Sequence, residues 1–266
     1  MKIAGAPISW GVCEVPDWGH QLPPRRVLAE MRELGLAATE LGPSGYLTQE
    51  FLTQYDMSGI AQFVPVVLHD PGHDPIPEIL AADVEVVVLA ASTGRDGYDT
   101  RPTLDETGWR TLLANLDRAA ALDRLVTLHP HVGTMIENRY EVERVLDDSV
   151  IPLCLDTGHL LIGGTDPLAV VRRDPGRIAH VHLKDVDADL AAKVPEIGYA
   201  RAVREGVYRP LGRGDVDVAG IVAALDKDGY SGWYVMEQDV VLAGPDDDPM
   251  DDVKQSLAYL KGIGRD

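Results

Sequence analysis

The chain is poor in cysteine and in positive charge, and it has no long apolar run. Its two cysteines in 266 residues, Cys13 and Cys154, form neither a CxxC pair nor a spaced framework, which excludes a disulfide scaffold and a thiolate zinc site. Each falls in a predicted strand or strand end and reads as a reduced core or pocket-wall thiol. Lys and Arg number 24 against 43 Asp and Glu, a formal charge of −19. Such a surface repels phosphate backbones and anionic headgroups, so neither nucleic acid nor a membrane is an expected partner. Most of that charge reads as solvated: Asp246, Asp247 and Asp248, with Asp251 and Asp252, sit among Pro and Gly at a loop and a helix start. No apolar stretch approaches a membrane span, and the opening MKIAGAPISW is too interrupted by Gly and Pro for a signal peptide core. A cytoplasmic protein is the expectation. Also missing are a P-loop and a GxGxxG in the first βα turn, which removes the usual phosphate-binding basis for a doubly wound sheet.

What is present is a regular alternation of short β-rich runs with longer amphipathic segments, the pattern of βα units around a parallel sheet. Eight units are counted, with strands expected at Ile3–Trp10, Ala38–Leu41, Phe63–His69, Val84–Ala91, Leu125–His131, Ile151–Asp156, Ile178–Lys184 and Trp233–Glu237. Helices are expected at Pro24–Leu34, Thr48–Tyr55, Ile76–Ala82, Glu106–Leu122, Arg139–Leu146, Pro167–Arg173, Val218–Lys227 and Asp251–Lys261. Asp105 and Asp166-Pro167 mark helix starts, while Gly35 and Gly229 stand where helices stop. Eight such units in this length predict an α/β fold, a (β/α)8 TIM barrel forming one catalytic domain over residues 1–266. One connection, Val186–Asp217, is long enough to be a lid or binding loop, and carries Tyr199, Tyr208 and Arg213.

Barrel chemistry sits at the C-terminal strand ends, and four ends here carry metal-competent side chains: VTLHPH, IPLCLDTGH, IAHVHLKD and WYVMEQD. Alternation turns His129, Asp156, His182 and Glu237 the same way, giving the mixed nitrogen and oxygen set that a divalent cation needs. A carboxylate flanked by apolar residues, as Asp156 is, is costly to bury without a metal or a hydrogen-bond network. In strand seven, His180 falls deeper in the barrel and reads as a hydrogen-bonded core residue, whereas Lys184 lies nearer the mouth. His131 shares the parity of His129. His159, at the strand-to-helix turn, reads either as a capping residue or as a substrate contact. Glu137, further along the loop, reads as a helix N-terminal carboxylate.

The segments APISWG, CEVPDWG, TELGPSGY, HPHVGTMIEN, LCLDTGH, HVHLKD, PLGRGDVD and VMEQD resemble the xylose isomerase-like TIM-barrel superfamily of sugar isomerases and epimerases, and within it the inosose dehydratases. The resemblance implies a metal set of a strand-five Glu, the Asp of DxxH, the strand-seven His and the last-strand Glu. The last three match Asp156, His182 and Glu237. Where relatives carry the first Glu, this chain has His129, so either His129 takes that place or Glu137 swings in. Loss of one of the paired carboxylates disfavours two-base epimerisation. The implied activity is a metal-dependent hydro-lyase, dehydrating a cyclic keto-polyol with Mn²⁺ or Co²⁺ (Mg²⁺ or Zn²⁺ as alternatives), with a small sugar or polyol as partner and a homo-oligomer as the alternative to a monomer. Glu237 or a strand-five histidine is the base, and His131, His159 or Lys184 the acid. Trp10 and Trp18 are expected to wall the pocket, and Glu40 and Arg213 to bind hydroxyls. A ketose isomerase or epimerase is the rival activity, and a subunit of a sugar-conjugate-cleaving enzyme the third.

Overall fold

In a computed structural model of the protein, described over residues 1–264, eight parallel strands close into a barrel: β1 (Lys2–Gly5), β2 (Ala38–Glu40), β3 (Ser58–Val66), β4 (Val86–Ala91), β5 (Leu125–Leu128), β6 (Leu153–Asp156), β7 (Ile178–Leu183) and β8 (Trp233–Met236), which pairs back onto β1. Helices follow the strands and cover the barrel. β4 is buried at all six positions, as a strand covered on both faces must be. The barrel interior is filled by small side chains, among them Ala4, Ala38, Ala61, Val86, Val88 and Val235, and the larger core lies between strands and helices.

Local signals place the helices well. The Asp105 side chain accepts from Gly108 N at 2.8 Å to start the helix Glu106–Ala120, and Asp166 caps Pro167–Arg173 in the same way. Gly35 and Gly229 hold φ of 83° and 82° just past helix ends, a left-handed turn that other residues resist. Strand ends were harder to place. β1 stops at Gly5, and Pro7–Trp10 forms a 3₁₀ turn closed by the left-handed Gly11, because Pro7 cannot donate to a ladder. β5 stops at Leu128 ahead of Pro130, and β3 begins at Ser58 rather than Phe63. Cys13 therefore lies in a loop, not a strand end. The connection after β7 is not structureless: it holds the short helices Ala188–Ala191, Val194–Ile197 and Tyr199–Arg204, with a two-stranded ribbon of Asp185–Val186 and Tyr208–Arg209. Among the described residues no helix is long and apolar enough to cross a membrane.

Candidate active site

Register decides which side chains meet at the mouth. Asp156 pairs with His182 across β6 and β7, and His182 with Val235 across β7 and β8, so Glu237, two residues beyond Val235, follows on the same face. Asp156 also starts the helix Thr157–Ile162, with Oδ1 accepting from Gly158 N at 2.9 Å and His159 N at 2.8 Å. Its Oδ2 is buried without a hydrogen-bond partner, 3.4 Å from His129 Nε2 and 3.5 Å from His182 Nδ1. Gly158 is a steric requirement: a Cβ there would lie 2.7 Å from the Lys184 Cβ and 2.8 Å from Tyr208.

The hydrogen bonds fix where protons stand on two imidazoles. His129 Nδ1 lies 3.0 Å from Pro130 O and His182 Nε2 lies 2.8 Å from Glu40 Oε1. Carbonyl and carboxylate oxygens only accept, so those nitrogens donate; His129 Nε2 and His182 Nδ1 face the cluster, and a metal there would take the place of the proton on His182 Nδ1. His129 Nε2 and His182 Nδ1 are 3.1 Å apart, and Glu237 Oε2 is 3.2 Å from His182 Nδ1. Asp156 Oδ2 completes the convergence, and the Lys184 ammonium stands at its edge, 3.4 Å from that oxygen and 3.0 Å from Glu237 Oε2. Donor atoms of Asp156, His182 and Glu237 all lie within 4.8 Å of one another, and this mixed set fits a divalent metal ion. The electrostatics agree. Burial works to lower the proton affinity of His182, but Cys154, Glu237 and Glu40 outweigh it and hold it well above the usual imidazole range. The point calls for a cation, proton or metal.

A cavity of about 470 Å³ opens over this cluster. Its lining joins the polar His129, His131, His182, Lys184, Glu237 and Asp239 to the apolar Trp18, Phe63, Val64, Pro65 and Ala82. Lys184 Nζ sits 3.0 Å from Glu237 Oε2 and 2.7 Å from Asp239 Oδ1. Burial would lower its pKa, but Asp156, Asp239 and Glu237 dominate and keep it an ammonium. Burial pushes His131 and His159 well below their ordinary values, with the neighbouring imidazoles and Lys184 adding to the effect, so both rings are neutral. His131 Nδ1 lies 2.6 Å from Val132 O and so donates, leaving Nε2 as a lone pair.

A model of the family described as "Xylose isomerase-like TIM barrel" matches residues 79–263. The chain is 31% identical to an inosose dehydratase of Geobacillus kaustophilus, over 92% of this chain and 90% of the relative. It is 33% identical to the rhizopine catabolism protein MocC of Rhizobium meliloti, over 89% and 81%. The chain belongs to the xylose isomerase-like TIM-barrel family. The probable 3-DHS dehydratase AsbF of Bacillus anthracis superposes with a TM-score of 0.68 at 14% identity, covering 98% of this chain and 99% of that one, a likeness of fold. In this xylose isomerase-like barrel, the HLKD segment serves as a structural joint. Asp185 is fully buried, and its Oδ2 accepts from Gly212 N at 2.8 Å and Gly214 N at 2.9 Å while Oδ1 accepts from Val216 N at 3.0 Å. That carboxylate anchors the PLGRGD loop.

Against the residues singled out from sequence, the barrel brings together His129, His131, Asp156, His182, Lys184, Glu237 and Glu40, with Trp18 on the cavity wall. Others are elsewhere. Trp10 does not face the cavity: it is fully buried in the core and its Nε1 donates to Glu30 Oε2 at 2.6 Å, a consequence of β1 ending before it. Arg213 is exposed on the loop anchored by Asp185 and does not line the cavity. Glu137 accepts from Gly133 N at 2.6 Å and faces Arg101 at 3.4 Å, which holds it away from the donor cluster. His159 stacks behind His131 with centroids 3.7 Å apart and does not line the cavity. Residues not singled out include Asp239, whose Oδ2 accepts from Tyr199 Oη at 2.7 Å; its parity with Glu237 was the available signal. Tyr98, donating to Glu14 at the cavity wall, and Phe63, edge-on to His129, carried none.

Proposed function

We propose that this protein is a metal-dependent hydro-lyase that removes water from a cyclic keto-polyol such as 2-keto-myo-inositol, with His129, Asp156, His182 and Glu237 holding the metal. The observation that carries the reading is the convergence of His129 Nε2, His182 Nδ1, Asp156 Oδ2, which has no hydrogen-bond partner, and Glu237 Oε2 on one buried point. The inosose dehydratase relative supports the choice of substrate class. When bound, a divalent ion, Mn²⁺ or Co²⁺ in this reading, supplies a Lewis acid that polarises the ketone oxygen and offsets the charge developing there.

The chain's own residues supply the proton traffic. His131 is neutral and its Nε2 is free, so it accepts the proton from the carbon beside the carbonyl. As that C–H bond breaks, a C=C bond forms and the β C–O bond cleaves. Lys184 Nζ, held as an ammonium by Asp239 and Glu237, donates to the departing hydroxyl, which leaves as water. Phe63 and Trp18 give the ring an apolar wall and help to exclude bulk water.

Incubating the protein with scyllo-inosose, with and without Mn²⁺ or Co²⁺ after chelation, tests this. The expected product is lighter by one water and absorbs as a conjugated dione. An isomer of unchanged mass, or full activity in metal-free protein, overturns the proposal.

A further inference from the structure

We infer that His180 is a positioning residue for the metal centre: acting through Glu40 from the lower barrel, it fixes the ring orientation of His182. His180 is fully buried, and its Nε2 lies 2.8 Å from Glu40 Oε1, the oxygen that also lies 2.8 Å from His182 Nε2. A single carboxylate oxygen from β2 thus accepts from two imidazoles on the same face of β7, whose rings stand at 74° with centroids 5.3 Å apart. That oxygen has two lone pairs and both are used. Glu40 cannot turn without breaking two charge-assisted bonds, and the ring of His182 cannot flip without losing its acceptor. The flip matters because it would exchange Nδ1 with Cδ2, turning a carbon instead of a nitrogen toward Asp156 and Glu237.

A second observation separates this role from ordinary packing. A further cavity of about 440 Å³ lies at the N-terminal ends of the strands, where Lys2, Val86, Leu125, Ile178 and Trp233 begin their strands, and His180 lines it. His180 Nδ1 is buried with no hydrogen-bond partner. The ring leaves its lower nitrogen unsatisfied, so the bond to Glu40 is the polar contact that accounts for a histidine here. Outer partners of this kind orient a ligating imidazole and tune its affinity.

The inference rests on the metal-dependent reading above, and the test separates the two. Metal-stripped protein is titrated with Mn²⁺ by calorimetry. His180→Phe retains a ring but donates nothing, and its affinity is expected to fall about 10- to 100-fold. His180→Gln places an amide N–H toward Glu40 and is expected to keep the wild-type affinity. Unchanged affinity in a cooperatively melting His180→Phe variant overturns the inference alone; a wild type that takes up no divalent ion overturns the metal-dependent function and this inference with it. Long-range ¹H–¹⁵N spectra of the wild type need no folded variant: His180 is expected as the Nε2–H tautomer, and an Nδ1–H tautomer overturns the positioning role.

Discussion

The two sides of the cavity are made of different material. From β5 to β8 the strand ends deliver His129, Asp156, His182, Lys184 and Glu237 in adjacent registers, each tied to a neighbour by a contact of 3.0–3.5 Å. Across the mouth, β3 and the helix after it deliver Phe63, Val64, Pro65, Ala81 and Ala82. One side can bind a cation and move protons; the other, apart from Gln62 and Glu78, mainly sets shape and keeps water out. Glu40 joins them, reaching from β2 across the barrel to β7. Chemistry and specificity are thereby separable by mutation, and the separation itself can be tested.

The largest effect is expected on the polar side. Asp156→Asn keeps an oxygen to cap Gly158 and His159 but removes the charge from the donor cluster. Mn²⁺ uptake should be lost and turnover should fall by at least about 10²–10³-fold, the order seen when a preorganised electrostatic group is removed, while the melting temperature stays near the wild type. Metal binding at wild-type strength would place the cation elsewhere. Next comes Lys184→Met, which keeps the stem and deletes the ammonium. Turnover should drop by about 10²–10⁴-fold with little change in KM, as for loss of a general acid; a change confined to KM would make Lys184 a substrate anchor rather than the proton donor.

How much of this was legible beforehand follows the same divide. Period-2 alternation is a strong signal, and it placed Asp156, His182 and Glu237 on one face because residues two apart on a strand must share one. Helix punctuation by Asp105, Asp166, Gly35 and Gly229 was legible because caps are local chemistry. What failed was long-range or terminal. An alternating pattern read through Pro7 puts Trp10 at a strand end facing the pocket, and nothing in the segment of Arg213 shows that Asp185, 28 residues earlier, pins the backbone around it. That Glu40 from β2 would meet two histidines of β7 depends on barrel closure, which the pattern within either strand does not encode. Phe63 went unnoticed because a lone aromatic in an apolar run reads as core until the opposite wall is known.

On the apolar side the effects should be smaller and of another kind. Phe63→Ala removes a ring that lies edge-on to His129 with centroids 5.9 Å apart. Losing such a wall is worth about 1–3 kcal/mol of substrate binding, so KM should rise about tenfold or more. Mn²⁺ affinity should be unchanged. A parallel loss of metal would show that the two sides are coupled through the His129–Phe63 contact.

The smallest effect on turnover is expected outside the cavity altogether. Trp10→Phe keeps a large apolar ring in the core and removes only the Nε1–H bond to Glu30, whose carboxylate retains Arg26 at 2.7 Å. A hydrogen bond to a charged group contributes about 1.5–3 kcal/mol, and the remaining partner limits the penalty to the lower end of that range. In a domain of this size each 1 kcal/mol shifts the melting midpoint by about 2–4 °C, so a drop of a few degrees by calorimetry should accompany an unaltered kcat/KM. The pairing of these two readouts is what decides the matter: a residue of the wall changes KM at constant stability, as Phe63 should, whereas a residue of the core changes stability at constant KM. A Trp10→Phe enzyme with raised KM and an unshifted midpoint would return Trp10 to the pocket and move the boundary of its apolar side to β1.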